Sequence, residues 1–115
     1  VSVKVGDKFV PYSPEAAAAI VDHSPLEERS GKADLAVKLD RTSTEAGVYP
    51  VVLVSYLIGC EKYADPAKAA LVKGFFTEAI SAEGQKAAAE AAGSAPISDT
   101  IRTKAQAAID LIVTK

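Results

Sequence analysis

The stretch that decides the fold is Tyr49-Pro50-Val51-Val52-Leu53-Val54-Ser55-Tyr56-Leu57-Ile58-Gly59-Cys60. It is rich in β-branched residues, almost continuously apolar, and bounded by Gly47 and Gly59. A membrane-spanning helix needs about 20 apolar residues, so this run is too short to be one. Its composition predicts a strand buried on both faces within an α/β sheet.

Upstream, Val1, Val3 and Val5 alternate with Ser2 and Lys4, and Gly6-Asp7-Lys8 supplies turn chemistry before Phe9-Val10. This predicts a hairpin. Ser13-Pro14-Glu15 predicts a helix start, with Ser13 as N-cap, Pro14 at the first helical position and Glu15 at the positive end of the dipole. The helix should stop near His23-Ser24, because Pro25 disfavours helical backbone before it. Residues 26–32 read as a surface loop, Leu35-Ala36-Val37-Lys38-Leu39 as a strand with one wet face, and 41–47 as a polar linker.

Downstream, Asp65-Pro66 opens a second helix. Leu71, Phe75 and Ala79 form one apolar row on it, and Val72, Phe76 and Ile80 form the adjacent row. Together they predict a wide face that covers a sheet or another helix. The chain restarts at Ser81, with Gly93 as the stop, and Ser98-Asp99 caps a last helix bearing Ile101, Ala105, Ala108, Ile109 and Ile112 on one side. The order of strands and helices, with 22 alanines, most of them in the helical stretches, gives the class α/β.

The 115 residues carry 13 Lys and Arg against 15 Asp and Glu. A charge-driven nucleic-acid binder is excluded by the absence of a basic excess or cluster. With 49% apolar residues the composition is that of a folded chain. At this size it should bury roughly 65% of its unfolded surface. One Cys and one His cannot supply an internal disulfide or an ordinary zinc site.

Three places invite chemistry. His23, beside Asp22 and followed by Glu27 and Glu28, could act as a general base or metal ligand. No second ligand sits at productive spacing, and an exposed His at a helix end explains it better. Cys60 could be a nucleophile, but no His lies close to it in the chain, so a small buried apolar residue is the better reading. Arg41-Thr42-Ser43-Thr44 has the donors for an anion, in a composition common to polar loops. No residues assemble into a catalytic constellation: the expectation is a non-enzyme, with no cofactor and no metal.

The run Tyr49 to Tyr56, the Cys60 turn, Lys73-Gly74-Phe75-Phe76, Glu83-Gly84-Gln85-Lys86 and Gly93-Ser94-Ala95-Pro96-Ile97-Ser98-Asp99 occur in that order before the closing helix. This set closely resembles the C-terminal part of the substrate-binding protein of bacterial phosphate ABC transporters. Phe9-Val10-Pro11-Tyr12-Ser13-Pro14-Glu15-Ala16-Ala17 is similar to the family's upstream segment. The resemblance implies a part of a two-lobed, type II periplasmic-binding-protein fold, its sheet covered by alanine-rich helices. Residues 1–48 would end the second lobe and form a linker, 49–60 would be the crossover (hinge) strand, and 61–115 the helical part of the first lobe; one compact unit is the alternative for the isolated chain. It implies capture of inorganic phosphate for an ABC permease, in the periplasm or on the cell surface, membrane-anchored in some members.

The family's phosphate ligands come from loops earlier in its chain and match no residue here. Arg41-Thr42-Ser43-Thr44 has similar types but falls in the wrong part of the pattern, so no phosphate-binding residue is expected in 1–115. With no Met and a strand-like start at Val1, the chain is expected to be a piece of a longer protein. In isolation it should associate with a second copy or with the rest of its parent. The other reading is a free-standing small α/β structural or interaction domain that self-associates.

Overall fold

The computed structural model describes residues 1–29 and 31–114; Ser30, within the expected surface loop, and Lys115 lie outside the described residues. The chain is a small α/β structure with four helices and two two-stranded sheets among the described residues.

The N-terminal half starts with the expected hairpin, β1 (Ser2–Val5) against β2 (Lys8–Pro11), antiparallel and with Val5 opposite Lys8. That register leaves Gly6-Asp7 as a two-residue turn. Gly6 has φ +58° and Asp7 does not have a positive φ, which matches a turn requiring glycine at its first central position. Helix α1 (Pro14–Asp22) follows, its Ser13 hydroxyl accepting from the Ala16 amide and His23 serving as C-cap. Val5, Ile20 and Val48 form a buried cluster, with Val3, Val10, Ala19, Val21, Leu39 and Val52 packed around it. Tyr49 is buried beside it, donates its amide to the Ala16 carbonyl at 2.9 Å, and meets Tyr12 edge to face at 5.6 Å.

The expected strand over 35–39 is reduced to one bridge, Leu26 opposite Val37, flanked by Glu27 N–H to Ala36 O and Lys38 N–H to Pro25 O bonds. Pro25 and the short reach of the segment prevent a longer ladder.

The C-terminal half is helical. Helix α2 (Pro66–Ile80) is capped by Asp65, α3 (Ala82–Ala92) by Ser81 and α4 (Asp99–Asp110) by Ser98, so each start falls where the cap residues predict it. Ser81 ends α2 and begins α3: its hydroxyl donates to the Glu78 carbonyl and accepts from the Gly84 amide. Helix α2 packs on α3 and α4, and Ala69, Ile109 and Ile112 are buried. A parallel pair absent from the sequence expectation, β3 (Lys62–Tyr63) with β4 (Val113–Thr114), ties the two ends of this half together. The Ser98 hydroxyl donates to Asp22 at 2.6 Å, linking the halves.

Two expectations fail in one direction. Residues 49–60 join no sheet and are not buried on both faces. On α2, Val72, Phe76 and Ile80 are half-buried, whereas Leu71 and Phe75 are 74% and 61% exposed. The cause is the same: the described residues supply no further strands beside 49–60 and no further layer over Leu71 and Phe75. The surface area is 7778 Å², against about 5,900 Å² for a monomeric protein of this mass. Burial is therefore about 55% of the unfolded surface. The radius of gyration is 15.9 Å, where a compact domain of this length has about 13 Å. None of the helices among the described residues is long and apolar enough to cross a membrane.

At the α2–α3 junction a Cβ on Gly84 would collide with the Glu78 carbonyl, while nothing lies within 4 Å of one built on Gly74. Gly84→Ala is expected to lower stability by about 1–3 kcal/mol, since backbone cannot move aside cheaply. Gly74→Ala is expected to raise it by about 0.5–1 kcal/mol through helix propensity. Urea denaturation of the two variants measures both signs.

Candidate functional site

Residues 49–58 form the most chemically open feature of the molecule, and four contacts position them. The Tyr49 amide is fixed to α1. The Arg41 guanidinium donates from one terminal nitrogen to the Pro50 carbonyl at 3.0 Å and from the other to the Val52 carbonyl at 3.2 Å. The Tyr56 hydroxyl accepts from the Val37 amide at 2.9 Å. Carbonyls at i and i+2 that face one group are what an extended chain presents along one edge. Burial agrees: Val52 and Val54 are half-buried, while Val51, Leu53 and Ser55 between them are exposed. Over 50–55 the segment runs extended, with Val52 and Val54 toward the body and Val51, Leu53 and Ser55 in solvent, while Tyr56, Leu57 and Ile58 beyond it are all exposed.

Neither edge carries a backbone partner beyond Tyr49 among the described residues. The even edge is occupied near its start by Arg41; the odd edge, formed by Val51, Leu53, Ser55 and Leu57, is open. No charged residue occurs from Ala46 to Cys60.

The sequence candidates fall in three separate places. The loop Arg41-Thr42-Ser43-Thr44 borders a shallow depression lined by Pro25, Lys38, Leu39, Asp40, Arg41 and Thr42. Part of its donor set is engaged within the chain. Arg41 serves Pro50 and Val52, and the Thr42 amide and hydroxyl both donate to the Asp40 carboxylate, at 3.0 and 2.9 Å. The Ser43 hydroxyl accepts from the Glu45 amide. An anion there would compete with these bonds and face the Asp40 charge, so the loop works as a clamp on the strand. His23 sits exposed at the end of α1 with Nδ1 2.7 Å from the Ala19 carbonyl, a helix-end role. Cys60 is exposed, which corrects the expectation of a buried residue. Its strand has no second layer to cover it, and its amide donates to the Tyr63 hydroxyl at 2.9 Å. No group of three His, Cys, Asp or Glu that could hold a metal occurs among the described residues.

Sequence reasoning missed Arg41 as a strand clamp; the basic residue eight to eleven positions before an uncharged apolar run was the available signal. It also missed how two of the quoted elements meet. Gln85 donates to the Ala79 carbonyl at 2.8 Å and accepts from the Ile97 amide at 2.9 Å. Arg102 donates to the Ile80 carbonyl at 2.9 Å and pairs with Asp99. The Glu-Gly-Gln turn and the Pro-Ile-Ser-Asp cap thus form one joint around the end of α2.

Comparison with family models finds no match for this chain, and comparisons with curated proteins and with solved structures find none either.

Removing the clamp tests its role. Arg41→Ala is expected to lower stability by about 1–2 kcal/mol, the range for charge-assisted bonds that are partly exposed, and to speed proteolysis within 49–58. Unchanged denaturation and cleavage would show that Arg41 does not hold the strand.

Proposed function

We propose that this chain is the C-terminal part of a phosphate-capture protein that hands inorganic phosphate to an ABC permease at the cell surface or in the periplasm. The observation that carries this reading is the ordered set from Tyr49 to Asp99, whose Glu-Gly-Gln and Pro-Ile-Ser-Asp members are physically joined by Gln85. In such a two-lobed protein, residues 49–60 would be the strand that crosses between lobes, and α2 to α4 would cover the first lobe's sheet. The uncovered strand and the bare Leu71 and Phe75 on α2 suit a segment whose neighbours lie elsewhere. Lobe closure would surround phosphate with hydroxyl, amide and guanidinium donors, and many short hydrogen bonds would set the affinity. The protein would bind rather than react, with no cofactor. Arg41 donates to Pro50 and Val52, and by the resemblance the ligand set would come from outside 1–115.

The excess surface and the uncharged run 46–60 favour a second reading, a free-standing α/β interaction domain that self-associates.

Isothermal calorimetry of the 115-residue chain with inorganic phosphate is expected to show no saturable heat. The native protein, isolated from its source, is expected to have an intact mass above 11.9 kDa and to bind phosphate. A native mass equal to that of the chain, without phosphate binding, would leave the second reading.

A further inference from the structure

The strand 51–58 has one edge clamped and one edge bare, and the bare edge has a chemistry that selects its occupant. Along it, Val51, Leu53, Ser55 and Leu57 present amides and carbonyls with no backbone partner among the described residues. Folded proteins guard such an edge with lysine, proline, a bulge or a covering loop. Here the nearest charged residues along the sequence are Glu45 and Glu61, and the Arg41 guanidinium sits on the other edge. The only proline, Pro50, belongs to the edge that Arg41 occupies, so its missing N–H is not needed on the open side. The side chains beside that edge are bare as well: Leu53 is 92% exposed and Val51 63%.

We propose that the odd edge of 51–58 pairs antiparallel with the same edge of a second copy, about a two-fold axis at Val54. Val51 then lies opposite Leu57 and Leu53 opposite Ser55, each exchanging both backbone bonds, and Val52 lies opposite Tyr56. Val54 faces its own copy in a pair without backbone bonds, where Cα atoms approach to about 4.5 Å. A two-fold contact requires a patch complementary to itself, and an uncharged strand satisfies this with no like charges opposed. Uncovered surface is available for association: the whole chain, this strand and the Leu71–Phe75 row included, exposes on the order of 1,800 Å² more than a monomer of its mass, and tight homodimers bury about 2,000–5,000 Å² over both partners. This pairing concerns the 115-residue chain and rests on the self-associating reading; under the phosphate reading the same edge would be covered by other parts of the parent protein.

The test uses the whole chain. Sedimentation equilibrium is expected to show a dimer that dissociates on dilution. Leu53→Lys, which sets two ammonium groups near each other across the axis, is expected to raise the dissociation constant about tenfold or more, with circular dichroism unchanged. In a Cys60→Ser background, Val54→Cys is expected to form a symmetric disulfide dimer on mild oxidation, because the separation suits the bond. Ile58→Cys, at a more exposed position that this pairing keeps far from its own copy, is expected not to. The cysteine pair carries the test even if Leu53→Lys disturbs folding. A monomer at every concentration would overturn the pairing and leave the edge to a strand of another chain. Equal cross-linking at positions 54 and 58 would also overturn it.

Discussion

The Arg41 guanidinium, spanning the Pro50 and Val52 carbonyls, is the interaction on which the arrangement of this molecule turns. An extended segment without a neighbouring strand has no ladder to hold its backbone straight, and its polar groups stay in water. A planar fork can do for two carbonyls what a strand would do for one edge. With Tyr49 anchored to α1 and Tyr56 tied to Val37, the fork sets which way the segment faces. Val52 therefore turns toward the cluster of Val5, Ile20 and Val48, and Leu53 turns to solvent. The same two bonds engage Arg41, the residue whose type best suits an anion, in the architecture.

The second constraint is surface. Among the described residues only two large side chains, Ile20 and Val48, are fully buried, and the halves are joined through few contacts such as the Ser98–Asp22 bond. Stability in a chain this thinly packed leans on caps, turns and short polar links. Ser13, Asp65, Ser81 and Ser98 each satisfy helix amides, and Gln85 and Arg102 satisfy the carbonyls at the end of α2. The exposed strand and the Leu71–Phe75 row are then surfaces that favour association in water. Both functional readings use that property: one assigns the covering layer to other parts of a phosphate-binding protein, the other to a second copy.

What could be read in the sequence was local. The four helix starts are set by residues adjacent to them, and the hairpin by Gly6 and a register of two residues. Those signals depend on no distant partner, and they place the elements correctly. The β-branched residues of 49–58 predict a strand, and the structure keeps only an extended stretch at its start that joins no sheet. The surroundings of 49–58 were not legible, because apolar composition states what a segment can bury and not whether the chain supplies the layer to bury it. Cys60 follows the same logic and is bare. The β3–β4 pair joins residues some fifty positions apart, and the Gln85–Ile97 bond depends on how α3 leaves α2; neither leaves a mark in nearby sequence. The candidate site was half legible: Arg41 stood out by type, while its role required the position of Pro50 and Val52.

The central claim is that 51–58 is a strand with one clamped edge and one edge that seeks a second copy. Residue-resolved amide hydrogen exchange over a range of protein concentrations tests it most directly. The amides of Val51, Leu53, Ser55 and Leu57 are expected to slow as concentration rises, while those of Val52, Val54 and Tyr56 stay fast. Exchange along the segment that does not depend on concentration, or that slows equally on both edges, would contradict it.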